Sequence, residues 1–255
     1  MRTMKILFLM LSVQLLLPRL ILAQDNNKSQ AYWIHEDQVK PSMVTEYEKT
    51  TKNLVAKCKE HNLQGLDWIT TVTEEYKYLY VTPIDSMADI NYAAFDVLSK
   101  KMGKEALSEL FSDMDKCYDK HGDYIIRLDK ELSYMPEGIT QTPEGMPYRK
   151  FTYYHYTPEN YDEVFEKAAA IKAVFESKNA TMHYRVYKSG FGTMGSYFLV
   201  AVAAKSAEDY ERLSKENRKI LGEEFGKLLG ELHKKVSKIE RESGAMRPDL
   251  DYIPE

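Results

Sequence analysis

The sequence predicts an α+β protein made of two tandem modules, each running β-α-β-β-α-α-β, packed sheet to sheet within one chain. Three observations carry that reading. The closing segment DLDYIPE (residues 249–255) echoes ELSYMPE (131–137), with Leu, Tyr, Pro and Glu in register 118 positions apart. Matched residues continue through the interior: Pro41 with Pro158, Leu54 with Ile171, Cys58 with Phe175 and Asn62 with Asn179 at a separation of 117, then Leu79 with Leu199 and Ser86 with Ser206 at 120. Between these markers, aromatic strand-like runs exchange with amphipathic helical stripes in the same order twice. A repeat of this length sets the architecture and has to be read before any single element.

Taken in order, residues 1–23 stand apart from the modules. Arg2 and Lys5 give a positive start, residues 6–17 are a 12-residue run dominated by Leu, Ile, Phe, Met and Val, and a second apolar patch ends at Ala23 before the polar stretch 24–30. That layout predicts a secretory signal peptide cleaved near Ala23, too short and interrupted for a membrane span. Residues 31–138 then form module 1, 139–148 a linker and 149–255 module 2.

Each module opens with an aromatic strand, a proline and an amphipathic helix. In module 2, Tyr161, Val164, Phe165, Ala168, Ile171 and Phe175 recur at three- and four-residue steps and share one helical face. Val44, Tyr47, Leu54 and Cys58 do the same in module 1. A hairpin follows, over residues 66–74 and 76–82 and again over 182–188 and 196–202, rich in β-branched and aromatic residues. The glycine-containing connection at residues 189–195 lies inside the second hairpin, so it reads as a turn rather than a phosphate loop. After each hairpin, Leu107, Phe111, Met114, Tyr118, His121, Ile125, Leu128 and Leu132 continue one helical stripe, matched by Leu221, Phe225, Leu228, Leu232, Lys235 and Ile239 at a separation of 114. Helix is therefore expected through both regions, broken near Gly103 and weakened at Gly122, with YMPE and YIPE as short final strands.

This order is the ferredoxin-like plan, an antiparallel sheet with helices on one face. Two such sheets bury their bare faces against each other. With the strand-proline-helix openings IHEDQVKP and YYHYTPEN, the chain resembles the dimeric α/β-barrel superfamily over most of residues 31–255. The superfamily includes antibiotic-biosynthesis-type monooxygenases and stress-responsive barrel proteins. In it two chains usually supply the two sheets; here the resemblance implies one chain supplying both, a monomeric pseudo-dimer.

Composition excludes several functions. The formal charge of −4 moves to −7 once residues 1–23 are removed, because they carry three basic residues and no acidic ones. An acidic chain with scattered Lys and Arg lacks a nucleic-acid footprint. No second long apolar run follows residue 23, so no stable membrane insertion is expected after cleavage, and a secreted or periplasmic location follows. Cys58 and Cys117 would permit one disulfide in an exported protein, but Cys58 sits on an apolar helical stripe, the place of a small buried hydrophobe.

The 19 Tyr and two Trp residues concentrate in predicted strands. Period-two alternation gathers such side chains on one sheet face. They either fill a core or enclose an apolar pocket with a few polar handles. The pocket candidates are Trp33, His35, Trp68, Tyr78, Tyr153, His155 and Tyr184, around a small apolar or aromatic ligand held between the two sheets. No HExxH, Cys/His cluster or closely spaced His pair is present, so no dedicated metal site is expected. Haem needs only one axial histidine, and His155, between Tyr154 and Tyr156, is the best-placed candidate should a haem be bound. No catalytic motif is recognisable. A barrel-type monooxygenase or haem-handling enzyme, and a structural or interaction module of the cell envelope, stand as the alternative functions.

Overall fold

A computed structural model of the chain describes residues 28–90 and 93–255. The expected signal peptide, and residues 24–27 of the polar stretch after it, lie outside the described residues. The first half runs β1 (Ser29–Val39), α1 (Val44–Glu60), β2 (Ile69–Thr73), β3 (Lys77–Ile84), α2 (Ala93–Met102), α3 (Lys104–Asp115) and β4 (Tyr118–Tyr134). The second runs β5 (Tyr148–Tyr156), α4 (Tyr161–Ser177), β6 (Tyr184–Ser189), β7 (Ser196–Ala204), α5 (Ala207–His233) and β8 (Lys238–Met246). Pro41 and Pro158 each open a 3-10 turn that leads into a helix, where a missing N–H costs nothing. Gly222 (φ 70°) kinks α5, so both halves follow β-α-β-β-α-α-β.

The strands form one closed antiparallel barrel in the order β1-β3-β2-β8-β5-β7-β6-β4. The halves are thus joined edge to edge, not stacked as two separate layers. β2 meets β8 through the pairs Thr71–Met246, Val72–Ala245 and Thr73–Gly244, while β4 meets β6 on the far side. Closure gives every strand a neighbour on both sides, which protects the sheet against foreign pairing.

Residues 118–134 are a 17-residue strand, where a helix was expected. The helix stops at Asp115, and the chain then alternates: Ile126 and Leu128 enter the barrel while Ile125 packs beneath the helices. Residues 118–124 of this strand are polar and largely exposed, but beyond them Ile125, Ile126 and Leu128 are apolar on both faces. Its residues therefore also satisfied a three-and-four spacing. Ile239 likewise lies in β8 rather than on a helix. Nor are the YMPE and YIPE segments closing strands: Tyr134 ends β4, and Tyr252 makes a two-hydrogen-bond bridge to Trp68 beyond β8.

Those two tyrosines cross between halves. The Tyr252 hydroxyl donates to the carbonyls of Leu63 (2.7 Å) and Cys58 (3.1 Å) at the end of α1. Tyr134 donates to the Ala180 carbonyl (3.1 Å) just past α4. Asn62 and Asn179 both adopt the left-handed conformation, with φ of 42° and 49°, that ends each helix.

Three apolar clusters result. One lies under α1–α3, one under α4–α5, and the third fills the barrel with Tyr32, Ile34, Leu79, Ile126, Phe151, Tyr187 and Leu199 among others. Only about 60 Å³ remains open in the barrel interior. Eight strands enclose a space that side chains can fill, and here aromatic residues fill it. Both cysteines are buried free thiols.

Candidate ligand cavity beneath the first helical layer

Outside the barrel, between its wall and helices α1–α3, lies a cavity of about 420 Å³. Its floor is the outer face of the sheet: Trp33, His35 and Asp37 of β1, Tyr80 and Thr82 of β3, and His121 of β4. Leu66 and Trp68, on the way from α1 to β2, close one side. Leu54 and Thr51 of α1, Phe95 of α2, and Phe111 and Met114 of α3 form the roof. Gly103 (φ 97°) breaks the roof into two short helices, a backbone geometry that L side chains rarely adopt. The lining is mostly aromatic and aliphatic, with polar groups gathered at one end, the usual character of a small-molecule site.

Strand pairing builds the polar end. His35 and Asp37 point to the same side because they are two residues apart. Asp37 lies opposite His121, and His35 opposite Asp123, across the β1–β4 ladder. Nδ1 of His35 is 3.0 Å from Oδ1 of Asp123, and Nε2 is 3.3 Å from Oδ1 of Asp37. Burial opposes charge on His35, but its hydrogen bond to Asp123 and the negative charges of Asp37 and Asp123 outweigh it and push its pKa up to about 9. Trp33 Nε1 also donates to Asp123 (2.8 Å). Asp37 is fully buried, and its Oδ2 accepts from the Tyr47 hydroxyl. That hydroxyl lies 2.8 Å from the Tyr80 hydroxyl. Burial drives the phenol pKa values of Tyr47 and Tyr80 upward, so both stay protonated.

Of the residues singled out from sequence, Trp33, His35 and Trp68 line this cavity. Tyr78 packs behind it on Tyr47 (ring centroids 4.7 Å) and donates to Glu48 (2.8 Å). Tyr153 and His155 face the opposite way, at one mouth of the barrel, where about 250 Å³ is open beside Glu36, Glu240 and Glu242. Tyr184 lies under α4 and α5, on a cavity of about 200 Å³. The seven residues thus occupy distinct places. His155 Nε2 is engaged by Glu240 (2.5 Å) in that acid-walled mouth, a poor fit to a haem iron or to propionates. Among the described residues, the buried imidazole nitrogen without a hydrogen-bond partner is Nε2 of His233, in the 200 Å³ cavity beside Arg218 and Arg241. Asp37, Tyr80, Phe95, Phe111 and His121 were not picked out; the His-x-Asp spacing at 35 and 37 was the available signal.

The closed barrel of eight antiparallel strands with helices packed outside it is a dimeric α/β-barrel fold. An anthrone oxidase-like protein superposes with a TM-score of 0.56 at 12% identity, over 86% of this chain and 91% of that one. A protein of Lactobacillus acidophilus described as a monooxygenase gives 0.52 at 8% identity, over 88% and 96%. A variant of chlorite dismutase from Candidatus Nitrospira defluvii gives 0.50 at 12%, over 86% and 92%. No protein-family model and no curated protein matches the sequence. Among the described residues, no helix is long and apolar enough to cross a membrane.

Proposed function

We propose that this is an exported protein, cleaved near Ala23, that binds a small aromatic or apolar ligand beneath α1–α3. The carrying observation is the 420 Å³ aromatic-walled cavity with its polar end at His35 and Asp37. This position replaces the one expected between the sheets, because the barrel interior retains only about 60 Å³. In this reading the two halves are copies of one module, and one chain does the work of a dimer. The fold neighbours described as a monooxygenase and an anthrone oxidase-like protein make oxidation of the bound aromatic a reaction worth assaying; no residue here is assigned to it.

The chain's only two tryptophans, Trp33 and Trp68, both line the cavity, so intrinsic fluorescence reports on it directly. Titration of the mature protein with 1-naphthol is expected to give saturable quenching. Leu54→Phe, which extends a roof side chain into the space, should weaken binding at least tenfold. Unsaturable quenching, or equal affinity in the variant, would overturn the assignment. Export is checked by the amino terminus of the protein recovered from its source, expected at Gln24.

A second reading concerns the 200 Å³ cavity under α4 and α5. Burial and the nearby Arg241 lower the His233 pKa, keeping a neutral imidazole with an unshared nitrogen. Lys150, Arg218 and Arg241 around it suit the acid groups of a haem-like ligand, and α5 would have to give way at its Gly222 kink to admit one. A Soret shift on haem addition that His233→Ala abolishes supports this reading, and its absence removes it.

A further inference from the structure

We infer that His35, Asp37 and His121 form a binding site for a divalent transition-metal ion at the polar end of the first cavity. Two imidazoles and one carboxylate present one ligand atom each, all within 4.8 Å of one another. Donor sets of two histidines and one carboxylate, with further positions open, hold zinc or non-haem iron in many proteins. The spacing needs only small side-chain rotations to reach metal–ligand bonds of about 2.0–2.2 Å.

Four features separate this cluster from an ordinary surface ion pair. Asp37 is 1% exposed, yet its Oδ1 has no hydrogen-bond partner. The 3.3 Å approach of His35 Nε2 is an attraction without hydrogen-bond alignment. The His35 imidazolium offers this oxygen charge at 3.3 Å but no hydrogen bond, and a metal ion in place of that proton would bind the oxygen directly. Second, the supporting shell is in place: Asp123 holds Nδ1 of His35, leaving Nε2 for a metal, and Tyr47 fixes the other oxygen of Asp37. Such outer partners orient ligands and raise their basicity. Third, the His121 imidazole makes no hydrogen bond among the described residues and is held by stacking on Tyr118 (5.2 Å), with its ring 5.9 Å from that of His35. Fourth, all three residues line the cavity, so the open coordination positions face its aromatic walls.

The ligand class sharpens accordingly. It has an aromatic body and an oxygen donor, such as a phenolate or carboxylate, that completes the metal's coordination. This part rests on the cavity being a ligand site; metal binding itself does not.

The test titrates Co²⁺ into the metal-free mature protein and follows visible d–d absorption. One equivalent is expected, with at least about a tenfold loss of affinity in His121→Ala and in Asp37→Asn. His61→Ala, a control outside the site, should bind as the parent does. His121 is exposed, so its variant should fold normally, as circular dichroism will verify. No d–d band, or affinity unchanged in His121→Ala, overturns the inference. Should 1-naphthol still quench the tryptophans of the metal-free protein, only the metal assignment has failed. A metal band without quenching would leave the metal site standing and remove the aromatic ligand.

Discussion

Removing one oxygen at the C-terminal tail should destabilise the whole barrel. The Tyr252 ring is 1% exposed, and its hydroxyl is shared between two carbonyls at the end of α1. The Cys58 carbonyl keeps a second donor, the Leu63 N–H at 3.0 Å. In Tyr252→Phe the Leu63 carbonyl loses its hydroxyl partner inside an apolar cluster. An unsatisfied buried acceptor costs about 1–3 kcal/mol, so a loss of about 2 kcal/mol is expected. Tyr134→Phe breaks one bond of 3.1 Å to Ala180 and should cost about 1 kcal/mol. Tyr252→Ala also removes the ring packed on Trp68 at 5.2 Å, raising the loss to about 3–5 kcal/mol.

Urea unfolding followed by far-ultraviolet circular dichroism measures these differences, and a thermal melt should show about 2–4 °C per kcal/mol for a chain of this size. Each tyrosine belongs to one half and is anchored in the other. A single cooperative transition with unchanged slope is therefore expected in both variants. The two sites share no partner, so the double variant should lose the sum of the single losses. The reasoning fails if Tyr252→Phe costs under about 0.5 kcal/mol, the level of an ordinary surface change. It fails equally if either variant splits the transition in two, since the crossing tyrosines would then not couple the halves.

Gly244→Ala should cost about 2–4 kcal/mol, because its Cβ would stand 2.5 Å from the Val72 carbonyl oxygen at the β2–β8 seam; hydrogen exchange should rise first in β2 and β8. Hydrogen bonds from Arg247 hold the carboxyls of Glu48 and Asp249 below their usual pKa values. Their contribution is complete above the unfolded carboxylate pKa values of about 4 and is lost as pH falls through the lowered folded ones. Stability of the parent should therefore drop more steeply below pH about 4 than that of Arg247→Leu, with about 1 kcal/mol at stake after screening at the half-exposed Asp249; parallel pH profiles would refute this. Burial pushes the Cys58 thiol up to about 12, so a disulfide reagent at pH 8 should modify it no faster than the protein opens.

The order of elements was legible because its signals are local. Prolines opening the helices, one helical face each, and β-branched hairpins all act within a few residues. The side of the sheet was not legible. Alternation groups Trp33 with His35 and Phe151 with Tyr153, but in this barrel both sheet faces are buried, so hydrophobicity does not say which group points in. The first pair turned outward beneath the helices and Tyr153 inward. Apolar residues on both faces at 125, 126 and 128 disguised β4 as helix, and that hid His121 from the site. Once residues 118–134 are a strand, Asp37 and His121 become cross-strand neighbours and the cluster assembles itself.

The location of the cavity follows from how unequally the two helical layers are built. α2 and α3 turn at Gly103 and are each 12 residues or shorter, so neither spans the sheet, and space remains over Trp33 and His35. Over the other half, α5 is continuous for 27 residues apart from its kink, and its packing on α4 leaves about half that volume. The barrel interior offers no alternative, because its far end is sealed. Arg149 and Arg185, 2% and 3% exposed, reach the carbonyls of Thr140, Gln141 and Met146 and draw the connection between the halves across the opening. Two buried guanidinium groups hold backbone there, and neither has an acidic partner within 4 Å among the described residues. A ligand entering from that side would have to displace those carbonyls and strand both charges, which is far more costly than occupying space already open beneath α2 and α3.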